Sequence, residues 1–334
     1  MSSNPGIVEE YYSNSFYVLI SSFSRNILGR IPISVGDVFY ITIGYYMIKS
    51  IYKVFKTKCI SLLKIGAYLS LIYGLFHICW GLNYYRIPLY QQLELESLKY
   101  ETKELKELTF NLVDAINTTH FNITQNDTVK VTVPYSKKEL YEKVQIGYNN
   151  LTNHEPSFSY KNPAIKNSIM SLPLSYMGFS GYLNPITNEA QVNYLIPRVN
   201  YPATSCHEVA HQLGYAAEND ANFIGFLAAS KHSDAYFNYS AYYMALRYTL
   251  NDLYHHDKEA YKLAFKSLNK GIIKNMHDSR KHWEKYKNPF EVIFKKIFNQ
   301  FLKANKQNAG IKSYSLMVGM LINYEKQYQT LFDK

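Results

Sequence analysis

One apolar run constrains the fold of this chain more than any other feature. It reads "IGAYLSLIYGLFHICWGLNYY" from Ile65 to Tyr85, and none of its 21 residues is charged. At about 1.5 Å per residue, a helix of this length reaches roughly 30 Å, which is the hydrocarbon thickness of a bilayer. Trp80, Tyr84 and Tyr85 lie at its end, as in an interfacial aromatic belt. The run predicts a transmembrane helix, with a buried core helix as the alternative.

A second, weaker run precedes it, "VFYITIGYYMIKSIYKVF" at residues 38–55, with an uncharged core of 11 residues. Lys49 and Lys53 can extend it if their ammonium groups reach toward water. Residues 49–64 hold five lysines and no acidic residue, and lysine-rich loops favour the cytoplasmic side. We therefore predict a membrane anchor at residues 1–90, with helices at about 36–56 and 64–85.

This orientation places everything after the second helix outside the cytoplasmic membrane. We predict a multi-pass protein of the cytoplasmic (inner) membrane, with the lipid bilayer as a partner and an extracytoplasmic, periplasmic domain at residues 91–334. The short apolar stretch at residues 11–24 is expected to lie on the membrane or to pack on the anchor.

The extracytoplasmic part has the pattern of a mainly α domain with a small β-sheet. Apolar residues recur at helical spacing from Leu93 to Asn117, and a second helix is expected after the capping residue Ser136. Residues 190–196 alternate as in a strand, which either exposes an edge to an extended peptide or has a purely structural role. Residues 240–334 are mostly helical in pattern.

Composition excludes several classes of protein. Charged residues make up 19% of the chain and aromatic residues 16%, which is typical of a folded protein. The formal charge is +10, and residues 251–334 contribute 16 basic against 8 acidic residues. These lysines are scattered along helical patterns, so we expect a solvated surface and no nucleic-acid partner. Three cysteines exclude a disulfide framework.

The chemistry-bearing motif is "CHEVAHQLGYAAENDAN", from Cys206 to Asn222. His207 and His211 are four residues apart, so a helix presents both imidazoles on one face, where they can bind one Zn²⁺ ion. Glu208 can then act as a general base on water that the zinc activates. The alternative is a pair of ordinary helical histidines.

A catalytic zinc site needs a third protein ligand, and Glu218 and Asp220 are the nearest acids. In a straight helix Glu218 would lie about 13 Å along the axis from the histidines, too far to share an ion. The chain must therefore bend, and Gly214 can end the helix with a left-handed residue. We favour Glu218, because its pattern Glu-x-x-Ala-Asn resembles the glutamate helix of zinc peptidases with two histidines and a glutamate. In that helix the residue four positions after the ligand lies on the same face, so Asn222 would support a metal ligand.

The chain resembles an uncharacterised family of bacterial membrane proteins, known chiefly from the Bacteroidetes, whose domain of unknown function is predicted to be a zinc metallopeptidase. The matching stretches include "IPISVGDVFY", "CWGLNYYRIPL", "GYLNPITNEAQVNYLIP" and "CHEVAHQLGYAAENDANFIGFLA". The resemblance implies an anchored, extracytoplasmic catalytic domain. Ala217 stands where the family commonly has arginine, and Asp220 where it has a second glutamate.

Together these features predict a zincin-like, membrane-anchored zinc metallopeptidase that hydrolyses a peptide or protein substrate. His207, His211 and Glu218 are the expected metal ligands, and Glu208 is the expected general base. The alternative is a non-catalytic membrane sensor or scaffold with a degenerate or structural metal site. The oxyanion-stabilising residue stays open among five candidates, Tyr215, Tyr239, Tyr242, Tyr243 and Arg247. The sequence does not determine the oligomeric state.

Overall fold

The computed structural model describes residues 4–57, 62–305, 307 and 314–332 of the chain. It is mainly helical with one small sheet, as predicted. The helices are α1 (Pro5–Ile7), α2 (Tyr17–Leu28), α3 (Val35–Thr57), α4 (Leu62–Cys79), α5 (Leu89–Gln92), α6 (Thr102–Thr124), α7 (Lys137–Thr152), α8 (Ser171–Met177), α9 (Tyr201–Gln212), α10 (Glu218–Ser230), α11 (Ala235–His256), α12 (Lys258–Lys266), α13 (Lys270–Tyr286), α14 (Pro289–Ala304) and α15 (Tyr314–Tyr328).

The sheet has three strands in the order β1-β3-β2, namely β1 (Ile165–Asn167), β2 (Gly181–Leu183) and β3 (Ala190–Val192). Strand β3 pairs in parallel with β1 and antiparallel with β2. The predicted strand is therefore present over Ala190–Val192, but its proposed edge role is wrong, because neighbours flank it on both sides. The edge strands of this sheet are β1 and β2.

Both helices that the sequence predicts around residues 93–117 and after Ser136 are present, but only the second starts where predicted. Helix α7 starts after Ser136, whose side chain accepts a hydrogen bond from the backbone N–H of Glu139, as the capping pattern predicts. Helix α6 starts at Thr102, nine residues later than predicted. The reason is local: Glu94 has a φ of 54°, and the capping box of Glu101 with Glu104 fixes a later start. Helix α6 also continues to Thr124, past the predicted end.

The main hydrophobic core lies between α9, α10 and α11, with α6, α7 and α15 packed around them. Helix α10 is the central element, since eleven of its thirteen residues are buried. Gly225 allows α10 to approach α9 closely, because a Cβ there would lie 2.8 Å from the backbone nitrogen of His207. The core therefore holds α10 tightly against α9, the helix that carries both histidines.

The predicted spans are helical as α3 and α4, and many of their large apolar side chains are exposed, among them Tyr45, Ile48 and Leu71. In the part of the chain that the structure describes, no helix is both long and apolar enough to cross a membrane. Helix α4 ends at Cys79, six residues before the predicted end. The connection at residues 58–61, with Cys59 and Lys58, lies outside the described residues.

The predicted aromatic belt is wrong for two of its residues. Trp80 and Tyr84 are only 6% and 8% exposed. Both belong to a small apolar cluster with Tyr12, from the π-helix Val8–Phe16 between α1 and α2, and with Tyr17 of α2. The cause is a 3₁₀ turn at Gly81–Tyr85, which directs these rings into the protein. The apolar stretch at residues 11–24 thus packs next to the end of α4.

Candidate metal centre

Helix α9 brings the two histidines of the motif together. Their ring centroids are 4.7 Å apart and the rings are nearly perpendicular, at 88°. The exposed fractions of the two side chains are only 14% for His207 and 7% for His211. A four-residue helical spacing produces this arrangement directly, and burial shields both imidazoles from bulk water.

The chain bends at Gly214, as the sequence predicts. This glycine has a φ of +87°, a left-handed conformation that other residues adopt at a cost. A Cβ there would lie 2.9 Å from the ring of Tyr17 and 3.0 Å from Oδ1 of Asn83. Both conformation and space therefore require glycine. Four residues later, α10 begins at Glu218 and runs back beside α9.

The bend brings the carboxylate of Glu218 to both histidines. Its Oε2 lies 3.5 Å from Nε2 of His207, and its Oε1 lies 3.8 Å from Nε2 of His211. Tetrahedral zinc with bonds of about 2.0–2.2 Å places two ligand atoms roughly 3.4 Å apart. The three side chains thus fit zinc by atom type, two nitrogens and one oxygen, and by separation.

The hydrogen bonds to the second ring nitrogen support zinc binding in one of the two histidines but not in the other. Nδ1 of His211 lies 2.7 Å from the carbonyl oxygen of Tyr215. That contact makes Nδ1 the protonated nitrogen and leaves Nε2 free as a ligand. Nδ1 of His207 is buried without a hydrogen-bond partner among the described residues. Asn222 nevertheless lies close to His207 and helps to raise its pKa.

Asp220, the other candidate ligand, faces away from the histidines. Its carboxylate accepts hydrogen bonds from the backbone N–H of Leu89 at 3.4 Å and from the side-chain amide of Asn219 at 2.6 Å. Burial raises the pKa of Asp220 to about 7, against the opposing effects of the Leu89 hydrogen bond and the Arg86 charge. The first turn of α10 therefore presents Glu218 to the histidines and Asp220 to Leu89, the first residue of α5.

Glu208 is buried beside the two histidines. Its ligand atom and theirs lie within 4.8 Å of one another, and its Oε2 has no hydrogen-bond partner in the described part of the chain. Burial and the charge of Glu218 raise the pKa of Glu208 to about 8, while His207 opposes the shift. Gly181 on β2 lies against this carboxylate, since a Cβ there would be 2.5 Å from Oε1.

Burial and the charges of neighbouring groups also shift the pKa values of His207, His211 and Glu218. Burial lowers the pKa of His211 to about 4, helped by the charge of His207. Burial also acts to lower the pKa of His207, but hydrogen bonding to Glu218 and the charges of Glu208 and Glu218 outweigh it, so the net shift is upward. Burial would raise the pKa of Glu218, yet both histidines lower it to about 2.

A cleft of about 730 Å³ opens onto these residues. Its lining includes Ser180–Leu183 of the β2 region and aromatic rings from the N-terminal helices, which the sequence did not connect with the site. Of the five candidate oxyanion stabilisers, Tyr243 and Arg247 line the cleft. The hydroxyl of Tyr239 instead donates to Asn275 in the core.

The N-terminal region also caps the end of α9, a role that its sequence did not reveal. Trp80 Nε1 donates to the carbonyl oxygen of His211 at 3.1 Å. The Tyr17 hydroxyl and the Arg25 guanidinium each donate to the carbonyl oxygen of Gln212 at 2.8 Å. These donors satisfy carbonyl groups that a helix end leaves unpaired, and the arginine also complements the helix dipole.

The family model described as a protein of unknown function (DUF3810) matches residues 12–322. No curated protein matches the chain, and no solved structure does.

Proposed function

The chain belongs to the DUF3810 family of proteins of unknown function, and we propose that it is a zinc-dependent metallopeptidase with a zincin-like site. His207, His211 and Glu218 hold the metal, and Glu208 is the general base. The observation that carries the proposal is the position of Glu218, whose two oxygens lie 3.5 and 3.8 Å from the Nε2 atoms of the histidines. Bound zinc would supply a Lewis acid that lowers the pKa of water toward about 7.

Glu208 has the properties that a general base in this site needs. It adjoins the ligands but is not required as one, since Glu218 provides the third ligand atom. Its pKa of about 8 in the metal-free protein lies near neutral pH, where a carboxylate can both accept and return a proton. Glu208 takes the proton from the attacking water and delivers it to the leaving amine.

The edge of the sheet supports a peptide as the substrate. Strand β2 is one of the two edge strands, and Gly181 brings its backbone against Glu208. An extended peptide that adds to such an edge forms backbone hydrogen bonds along it. Its scissile bond would then lie beside the general base.

We also propose that α3 and α4 hold the protein at the cytoplasmic membrane, with the site on the extracytoplasmic side. The support is the apolar surface of these helices, where Ile48, Leu71 and Tyr73 are 60–70% exposed. Such a surface is unfavourable in water and favourable in lipid. The lysine-rich connection between the helices gives the orientation.

Zinc analysis of the full-length chain tests the metal. We expect one zinc ion per chain, and loss of that zinc in His207→Ala; a folded chain that binds no zinc would refute the proposal.

Glu208→Gln separates the enzyme from a non-catalytic sensor or scaffold. We expect this variant to keep zinc and to lose peptide hydrolysis by about 10²–10⁴-fold. A Glu208→Gln variant that keeps both the zinc and the cellular phenotype would favour the non-catalytic alternative. Unchanged hydrolysis would instead exclude Glu208 as the general base.

A further inference from the structure

Helix α14 forms one wall of the cleft. Lys295, Phe298 and Leu302 line the cavity that also contains the candidate metal ligands. The ring of Phe298 packs against Phe179, beside β2, with centroids 5.3 Å apart. The inner face of α14 thus belongs to the cleft.

The outer face of α14 is apolar and uncovered. Its exposed apolar residues recur every three or four positions, which places them on one side of the helix. We call them the apolar stripe: Phe290, Ile293, Phe294 and Ile297, with exposed fractions of 67%, 51%, 43% and 61%. Lys296 and Lys303 lie on a different side of the same helix. This division into apolar, cleft and charged faces is typical of a helix that lies in a membrane interface.

Phe301, one turn beyond the apolar stripe, connects it to the exposed surface of α4. This residue is 36% exposed and also lines the cleft. Phe301 contacts Phe76 near the end of α4, with ring centroids 5.8 Å apart, and Tyr84 in the following turn at 6.0 Å. Phe301 and Phe76 also line one shallow depression with Ile72 and Tyr73 of α4. Helix α14 therefore meets α4 at the end next to the site, which is where our proposed orientation places the membrane surface.

The charge of this region suits an anionic surface. Residues 280–303 contain seven lysine or arginine residues and only two acidic residues. Basic residues beside an interfacial helix are attracted to anionic headgroups.

We propose that the apolar stripe of α14 lies in the interface of a bilayer that contains anionic lipids, so that the cleft opens at the membrane surface. The inference rests on the proposed membrane location. It also narrows the substrate class to membrane-bound polypeptides, because a cleft that opens at the membrane surface receives polypeptides that are themselves bound to the membrane.

Quenching of tryptophan fluorescence by brominated lipids tests the proposal in full-length protein in nanodiscs. Ile297→Trp reports on the apolar stripe and Leu71→Trp reports on α4. Leu263→Trp is the matched control, since Leu263 is 59% exposed on α12 against 61% for Ile297. Relative to the unmodified chain, we expect the added quenching at position 297 to exceed that at position 263 by at least about twofold.

Each other result overturns the proposal in a distinguishable way. Quenching at position 71 without quenching at 297 refutes the role of α14 and leaves the membrane location standing. Absence of quenching at both positions refutes the location as well. A blue-shifted but unquenched signal at 297 shows that a protein surface, such as a second copy of the chain, covers the apolar stripe.

Hydrogen exchange of the unmodified protein provides a test without substitution. We expect slower exchange of residues 289–304 in nanodiscs with an anionic lipid such as phosphatidylglycerol than in purely zwitterionic nanodiscs. Equal exchange in the two lipids would contradict the proposed interface.

Discussion

The indole nitrogen of Trp80 donates a hydrogen bond to the backbone carbonyl oxygen of His211, at 3.1 Å and across 131 residues of sequence. The two rings also meet edge to face, with centroids 6.1 Å apart. One candidate metal ligand is therefore held in place by a residue from the end of the apolar N-terminal run. The geometry of the site depends on both parts of the chain.

Loss of this hydrogen bond should weaken metal binding. We expect Trp80→Phe to lower zinc affinity about tenfold, because partners that orient a metal ligand typically contribute 10–100-fold. Zinc competition with a chelator measures the effect. Trp283→Phe is the matched control, since Trp283 is the other tryptophan of the chain and packs against the main core. Equal affinities for the two variants would exclude a positioning role for Trp80.

The two neighbouring acids of α10 should respond differently to substitution. Glu218→Ala is expected to reduce zinc affinity by more than about 100-fold, since loss of a ligand costs more than loss of its support. Asp220→Asn should retain zinc, because Asp220 contacts Leu89 and Asn219 instead. Isothermal titration of both variants decides the matter. Loss of zinc from Asp220→Asn alone would reverse the assignment.

Gly225 sets the distance between the two helices of the site. A Cβ in Gly225→Ala would lie 2.8 Å from the backbone nitrogen of His207, so α9 and α10 must separate. We expect zinc affinity to fall about tenfold and the free energy of unfolding to fall by about 1–3 kcal/mol. Gly74→Ala on α4 is the control, because no atom lies within 4 Å of the added Cβ. Chemical denaturation and zinc titration should separate the variants.

Acid should release the metal through His207. Zinc needs a neutral imidazole, and the pKa of His207 in the metal-free protein is raised above its usual 6.5. Protons therefore compete as the pH falls through that value. His211, with a pKa of about 4, and Glu218, with a pKa of about 2, stay unprotonated longer.

One competing proton lowers apparent zinc affinity about tenfold per pH unit. We expect that slope between the pKa of His207 and pH 4, and a steeper one below pH 4, where His211 also protonates. Zinc titrations in metal-buffered solutions measure the profile. Constant affinity between pH 7 and pH 5 would contradict the proposed role of His207.

Local patterns in the sequence predicted the parts of this protein that depend on nearby residues. The spacing of His207 and His211 specifies a shared helix face, because an α-helix repeats every 3.6 residues. The distance argument for Glu218 predicted the bend, and only Gly214 offered a left-handed residue there. The capping pattern at Ser136 located the start of α7, because it depends on a contact between residues only three positions apart. Each of these inferences spans about a dozen residues or fewer.

Tertiary structure alone decided which distant groups meet. Glu218 and Asp220 share one turn of α10, so only the packing of that helix, set at Gly225, determines which acid faces the histidines. Strand β3 became central because β1, which starts 25 residues earlier, pairs with it on one side and β2 pairs with it on the other. Trp80 reads as a membrane-interface residue in sequence, yet it binds the backbone of His211. Contacts across so many residues depend on how whole helices pack, and no local periodicity encodes that packing.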